Sequence, residues 1–141
     1  MKIIIVLIVY LTCLSCVTYN ESQISGYWAE EGQEHNIHHF LDGKLNIRSE
    51  AETVEVIYGS IMMFKYQLVG NRINIEYLET KTYKKYKNKP DKKISYEPFT
   101  ESGFVDKESE LKIISVDKHK MILSNNGKQF VLVKSEPENG E

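Results

Sequence analysis

After Cys16 the chain contains no cysteine; both of its cysteines, Cys13 and Cys16, stand near the N-terminus. A mature chain beginning there has neither an internal disulfide nor a thiolate zinc site, so its stability must come from packing. Long apolar runs are missing too. The stretch from Ile3 to Leu11 is nine residues, against the roughly 20 that a membrane-spanning helix needs. Nor is there a Gly-x-Ser-x-Gly elbow, a Walker loop, a His-Glu-x-x-His helix or a dinucleotide glycine pattern. Neighbouring acids such as Glu30 and Glu31 alternate faces on a strand and do not form a glycosidase pair. No catalytic residue and no cofactor is therefore expected, and the chain is not expected to be an enzyme. A sustained helical stripe is also absent.

What is present begins with an export signal: Lys2, the nine apolar residues, then Thr12-Cys13-Leu14-Ser15-Cys16. Its end resembles the processing site of bacterial lipoproteins, in which the cysteine thiol is lipidated and the chain is cut just before it. Ser15 fits the small residue expected there. Cys13 stands where the family usually has Leu, and taking Cys13 itself as the lipidated residue would put Thr12 at the cut and Tyr10 at the Leu position, a worse fit. The resemblance implies a signal peptide over 1–15, lipidation at Cys16, a linker over 16–23 and attachment to a membrane of the cell envelope. Val17 is not the aspartate of inner-membrane retention, so the outer membrane is the expected address. A plain secretory signal cut nearby, leaving a soluble protein, is the alternative. Removing residues 1 to 15 of the 141 leaves 126, the size of one domain with a real core.

Charge is divided along the chain. From Glu21 to Gly59, eight acids face Lys44 and Arg48, a net of minus six; from Ser60 to Tyr96, nine bases face Glu76, Glu79 and Asp91, a net of plus six. Such a basic block meets anionic lipid, polysaccharide or the chain's own acidic half, or forms a solvated lysine-rich hairpin. Export makes nucleic acid an improbable partner, and none is expected.

Alternating and β-branched runs predict strands at Gly26–Glu30, Asn36–Leu41, Lys44–Arg48, Thr53–Tyr58, Ile61–Val69, Ile73–Leu78, Lys92–Tyr96, Leu111–Val116, Lys120–Ser124 and Gln129–Lys134. Asp42-Gly43, Gly70-Asn71 and Asn126-Gly127 supply residues that tolerate positive φ in tight turns. Eight to ten short strands joined this way predict an all-β fold, an antiparallel up-and-down barrel, because closure removes exposed edges. Met62, Phe64, Tyr66 and Leu68 would share one face of their strand, and Ile73, Ile75 and Tyr77 one face of the next. In the last strand both Phe130/Leu132 and Val131/Val133 are apolar, leaving its inward face open.

Gly26-Tyr27-Trp28 resembles the Gly-x-Trp signature of lipocalins, whose tryptophan plugs the closed end of the barrel. With Phe40-Leu41-Asp42-Gly43, the run Tyr66 to Ile75, and the segments Leu111–Val116, Met121–Leu123 and Phe130–Leu132, the layout over 24–134 is similar to the lipocalin-like domains of bacterial lipoproteins. Two departures stand out. Lipocalins commonly stack an arginine on that tryptophan, and here the only arginines are Arg48 and Arg72, with Lys128 or Lys134 as substitutes. A lysine-rich insert at about 80–110, holding Tyr83, Tyr86, Tyr96, Phe99 and Phe104, also exceeds what a hairpin needs; it is expected as a lid over one end or as an extended hairpin. A polar tail follows over 135–141.

The resemblance implies a small hydrophobic ligand, with Trp28, Met62, Phe64, Tyr66 and Tyr77 as candidate cavity walls. The competing expectation is an interaction lipoprotein, an envelope inhibitor or assembly factor that grips another envelope protein and whose interior is filled by its own side chains. His35 and His39, on one strand face near Glu31, Glu34 and Asp42, are the weak candidates for a metal site, with His38 on the opposite face.

Overall fold

A computed structural model describes residues 17–89, 95–98 and 108–137. Cys16 and the export signal, Phe99 and Phe104, and the end of the C-terminal tail lie outside the described residues. One short helix, α1 (Glu21–Ile24), precedes nine strands: β1 (Gly26–Glu30), β2 (Gln33–Leu41), β3 (Lys44–Glu52), β4 (Val56–Val69), β5 (Arg72–Tyr86), β6 (Ser95–Pro98), β7 (Glu108–Val116), β8 (Lys120–Asn125) and β9 (Lys128–Lys134).

All pairings are antiparallel, and eight of the strands form one sheet that closes in a ring, β1-β2-β3-β4-β5-β7-β8-β9 and back to β1. β6 adds to the far side of β5. Closure is made by Trp28, Ala29 and Glu30 of β1 against Lys134, Val133 and Leu132 of β9. The expected turns form: Asp42, Gly43, Gly70, Asn126 and Gly127 all have positive φ, the conformation that glycine and asparagine or aspartate tolerate best.

Two expectations are corrected. Thr53–Tyr58 and Ile61–Val69 are not two strands; from Val56 onward they run through Gly59 and Ser60 as the single strand β4. The strand expected to stop at Leu78 continues to Tyr86, so the first part of the lysine-rich insert belongs to β5. Of the strand expected at Lys92–Tyr96, Ser95 and Tyr96 lie in β6, and Lys92 to Ile94 lie outside the described residues.

Inward faces follow from the register. Phe130 and Leu132 pair with Leu123 and Met121, both buried, so they face in and Val131 and Val133 face out. The core joins Trp28, Phe40, Leu45, Ile73, Ile113, Met121, Leu123 and Leu132 with Ile24 of α1. Three register shifts interrupt the ladders. One lies between Ala29 and Glu30 of β1, opposite Ile37 and Gln33 of β2; in the others Leu78 is the extra residue where Tyr77 and Thr80 oppose Phe64 and Met62, and Ile114 is the extra residue of β7. Leu78 and Ile114 are exposed, as an unpaired residue bent out of a ladder is expected to be.

Candidate functional site: an interior graded from packed floor to polar rim

The lower end of the ring is plugged. Asn20 caps α1 in a reciprocal capping box with Gln23, satisfying two backbone N–H groups of the helix start. This sets Ile24 into the core and brings its carbonyl within 2.7 Å of the Trp28 indole Nε1, which donates to it. The Tyr66 hydroxyl donates to the Glu21 carboxylate, and the Tyr19 N–H donates to the Gly70 carbonyl at 2.9 Å. Lys134, at the end of β9, places its ammonium 4.2 Å from the Trp28 ring centroid and donates to the Ser25 carbonyl at 2.6 Å. Burial against α1 holds that ammonium below the usual lysine range. A cation over an indole face is attractive, so Lys134, not either arginine, occupies the position over the tryptophan.

Above the plug the rows of inward residues can be read across strands, because directly opposed residues share a face and sit about 5 Å apart. Leu45, Phe64 and Tyr77 form one row, with Phe64 and Tyr77 in an edge-to-face contact at 5.7 Å. Next come Trp28, His38, Ile47, Met62 and Thr80. The following row is polar on β2 to β5: Asn36, Ser49, Ser60 and Thr82, with Glu30 of β1 joined to it through Asn36, whose Nδ2 donates to Glu30 Oε2 at 3.3 Å; on its other side Glu30 is paired with the buried Leu132 of β9. Asn36 also donates to Gln33 Oε1 at 2.7 Å and accepts from the Ser49 hydroxyl. Beyond this girdle stand Ala51, Tyr58 and Lys84, with the Lys84 ammonium 5.4 Å from the Tyr58 ring centroid.

Trp28, Phe40, Leu45, Phe64, Tyr66 and Ile73 are buried, whereas Ile47, Met62, Leu68, Ile75, Tyr77, Val116 and Phe130 are only partly so. Beyond the polar row the ladders of β2 and β7 stop, at Asn36 opposite Ser49 and Glu108 opposite Glu76. β3, β4 and β5 rise past them as a flap. A cleft of about 480 Å³ lies against the flap, lined by residues of both its faces: Ser49, Ala51, Tyr58, Ser60, Thr82 and Lys84, and Glu50, Gly59 and Tyr83. On the flap's other face Tyr83 lies against Gly59, where a Cβ would overlap its ring, and donates to Glu50.

His38 is the anomaly of this interior. It is 9% exposed, and among the described residues its Nε2 is buried without a hydrogen-bond partner. Burial pulls its pKa down to about 4 against a weaker opposing pull from the Glu30 charge, so the imidazole is neutral at pH 7. Sequence alternation placed His38 opposite His39, but gave no sign that its ring would be left unpaired.

Of the candidate cavity walls, Trp28, Phe64 and Tyr66 are buried in the plug and core, and Met62 and Tyr77 face inward and are partly buried. His35 and His39 do share the outer face of β2, yet four residues of extended strand separate them by about 13 Å, too far to ligate one ion. His39 stacks on Tyr27 at 3.9 Å. Among the described residues no three His, Cys, Asp or Glu side chains gather as a metal site. The basic block meets the chain's own acidic half in the flap, where Lys87 pairs with Glu52 and holds that carboxyl below the usual range.

No protein-family model matches the chain, and neither does a curated protein or a solved structure.

Proposed function

We propose that the chain is an exported lipoprotein, anchored in the cell envelope through Cys16, whose ring is a lipocalin-like barrel that carries a small hydrophobic ligand in its upper half. The observation that carries this reading is an interior sealed at one end by α1, Trp28 and Lys134, with the inward-facing Ile47, Met62, Tyr77 and Phe130 only partly buried. An eight-stranded ring is wide enough either to be filled by its own side chains or to hold one small ligand, and the partial exposure of these inward residues favours the second. The helix-and-tryptophan plug, with a cation on the indole, supports the lipocalin-like resemblance through the feature that resemblance implies. The outer membrane is the proposed address.

The test is intact mass spectrometry of the protein purified from its native membrane, followed by titration of the stripped protein with a lipophilic dye. The expected result is a triacylated chain beginning at Cys16 and saturable dye uptake, abolished by Met62→Trp without loss of the fold. An unlipidated chain that takes up no dye would overturn both anchor and carrier.

One observation favours a second reading, that of an interaction lipoprotein acting on another envelope protein. Among the described residues Glu50, Ala51 and Glu52 of β3 pair only with β4, leaving a short strand edge open on the flap. Such an edge can accept a partner's strand, although its two glutamates are a common defence against unwanted pairing. Pull-down of a single envelope protein, lost on charge reversal of Lys85 and Lys87, would favour this reading over the carrier.

A further inference from the structure

The two ends of the ring differ in what they expose. Connections alternate between the ends of an antiparallel ring, so α1, the β2–β3, β4–β5 and β7–β8 turns and the end of β9 all stand at the plugged end. Three exposed apolar side chains share that end. Val17 precedes α1, Leu41 is the last residue of β2 and Val69 the last of β4; they are 53%, 48% and 52% exposed. The Tyr19 N–H bond to the Gly70 carbonyl holds the chain ahead of α1 against the β4–β5 turn, so Val17 lies within two residues of a bond to the neighbour of Val69.

Resting on the lipid anchor at Cys16 proposed above, we infer that the plugged end is a membrane-docking surface: Val17, Leu41 and Val69 sit in the lipid headgroup layer, and the flap points away from the bilayer. The tether sets the orientation. Of the linker expected over 16–23, Asn20 and Gln23 form the capping box of α1 and Tyr19 is bonded to Gly70, so only Val17 and Thr18 separate Cys16 from the folded ring. Three residues of chain reach at most about 11 Å, and the headgroup layer on each side of a bilayer is about 5–8 Å thick. A cysteine acylated at the base of that layer therefore keeps the β4–β5 turn within it or just above it. Val56 and Val69 are the two ends of β4. With strands tilted as in other barrels, the length between them sets the flap about 30 Å further from the bilayer.

The contact is apolar rather than electrostatic. Lys44, Lys118 and Lys134 at this end are matched by Glu21, Asp42 and Asp117, and Arg72 is paired with Glu110 at 3.2 Å. A surface of balanced charge gains nothing from an anionic bilayer or a highly charged protein. Valine and leucine side chains, by contrast, gain by leaving water, and the anchor brings a lipid surface to them.

The experiment is depth-dependent fluorescence of the protein, purified from its native membrane and reconstituted in phosphatidylcholine vesicles. An acylated Cys16 has no free thiol and Cys13 leaves with the signal, so each of Leu41→Cys, Val69→Cys and Val54→Cys gives one site for an environment-sensitive NBD label. Val54, 91% exposed in the turn between β3 and β4, is the distal reference. Labels at positions 41 and 69 are expected to shift their emission to the blue and to lose it when the lipid headgroups carry nitroxides, while the label at 54 does neither. Adding anionic lipid should leave this pattern unchanged. Circular dichroism checks that each labelled variant keeps its fold. In protein that floats with the vesicles, equal quenching at all three positions, quenching at none or quenching at 54 alone would overturn the orientation and leave the anchor standing. A blue shift at 41 and 69 without nitroxide quenching would also overturn it, since a second copy or another protein would then cover this end. Protein that does not float and whose intact mass lacks acyl groups would overturn the anchor and the orientation together.

Discussion

Lowering the pH should destabilise this protein through His38 in a window set by its burial. In the unfolded chain the imidazole titrates near 6.5; in the folded ring burial pulls it down to about 4. Between those values the unfolded state takes up a proton that the folded state refuses, so stability is fully present above about pH 6.5 and is lost as pH falls towards 4. The full gap corresponds to about 3 kcal/mol, of which about 2 kcal/mol is gone by pH 5. That is a substantial share of the 5–15 kcal/mol typical of a domain. The assay is urea denaturation at intervals from pH 7.5 to 4.5 for the wild type and for His38→Gln, whose amide does not titrate. All other ionisable groups are common to the two proteins, so the difference between their pH profiles isolates His38. Parallel profiles would refute the reasoning, as would an NMR titration in which the folded imidazole changes charge near 6.5. Glu30→Gln gives a check on the cause: it removes the charge that partly supports protonation, and should move the folded pKa lower still.

Three further outcomes can be checked. Gly59→Ala should destabilise by about 1–3 kcal/mol, because the new Cβ overlaps the Tyr83 ring and displaces its hydroxyl from Glu50; a melting temperature equal to wild type would show that the tyrosine has room to move. Trp28→Phe removes the indole donor to Ile24 and leaves a void in the plug, and should cost about 2 kcal/mol by urea denaturation, while Lys134→Arg should be tolerated and Lys134→Met should lower the melting temperature. His39→Ala should leave zinc affinity, measured by competition with a chromophoric chelator, unchanged from wild type; a drop would mean that a second ligand reaches His39 despite the strand geometry.

Most strands were legible where one face is apolar. The alternation of Met62, Phe64, Tyr66 and Leu68 and that of Ile73, Ile75 and Tyr77 gave the correct inward faces, since their partners across the register are core residues. Legibility failed where the interior itself is polar. Thr80, Thr82 and Lys84 face inward between Lys81, Tyr83 and Lys85, so hydrophobic alternation carries no information there and β5 read as a lysine-rich insert. Gly59 read as a break for a related reason: its missing side chain serves the tyrosine of the neighbouring strand, a need invisible along one strand. Helix α1, at four residues, is too short for periodicity, and its one signature was the spacing of Asn20 and Gln23. The final strand's facing required its partners, because both of its sides are apolar. The inward facing of Met62 and Tyr77 was legible from alternation, whereas the polar row and the orphaned His38 needed the cross-strand register.

The pairing of β1 with β9 gives the molecule an unusual assembly order. Every other neighbour in the ring is near in sequence, apart from the step from β5 to β7, but Lys134 reaches Ser25 across 109 residues. As the polypeptide emerges from its N-terminal end, the hairpins can zip in turn, yet until the last strand appears the product is a curved ribbon with two raw edges and an uncovered tryptophan. Such a species is prone to stick to its neighbours, and non-local closure is also the slow step in forming β structure. Truncation just short of Lys128 should therefore give not a slightly weakened protein but an aggregating one, and any factor that holds the chain before completion would act by shielding β1 and β8.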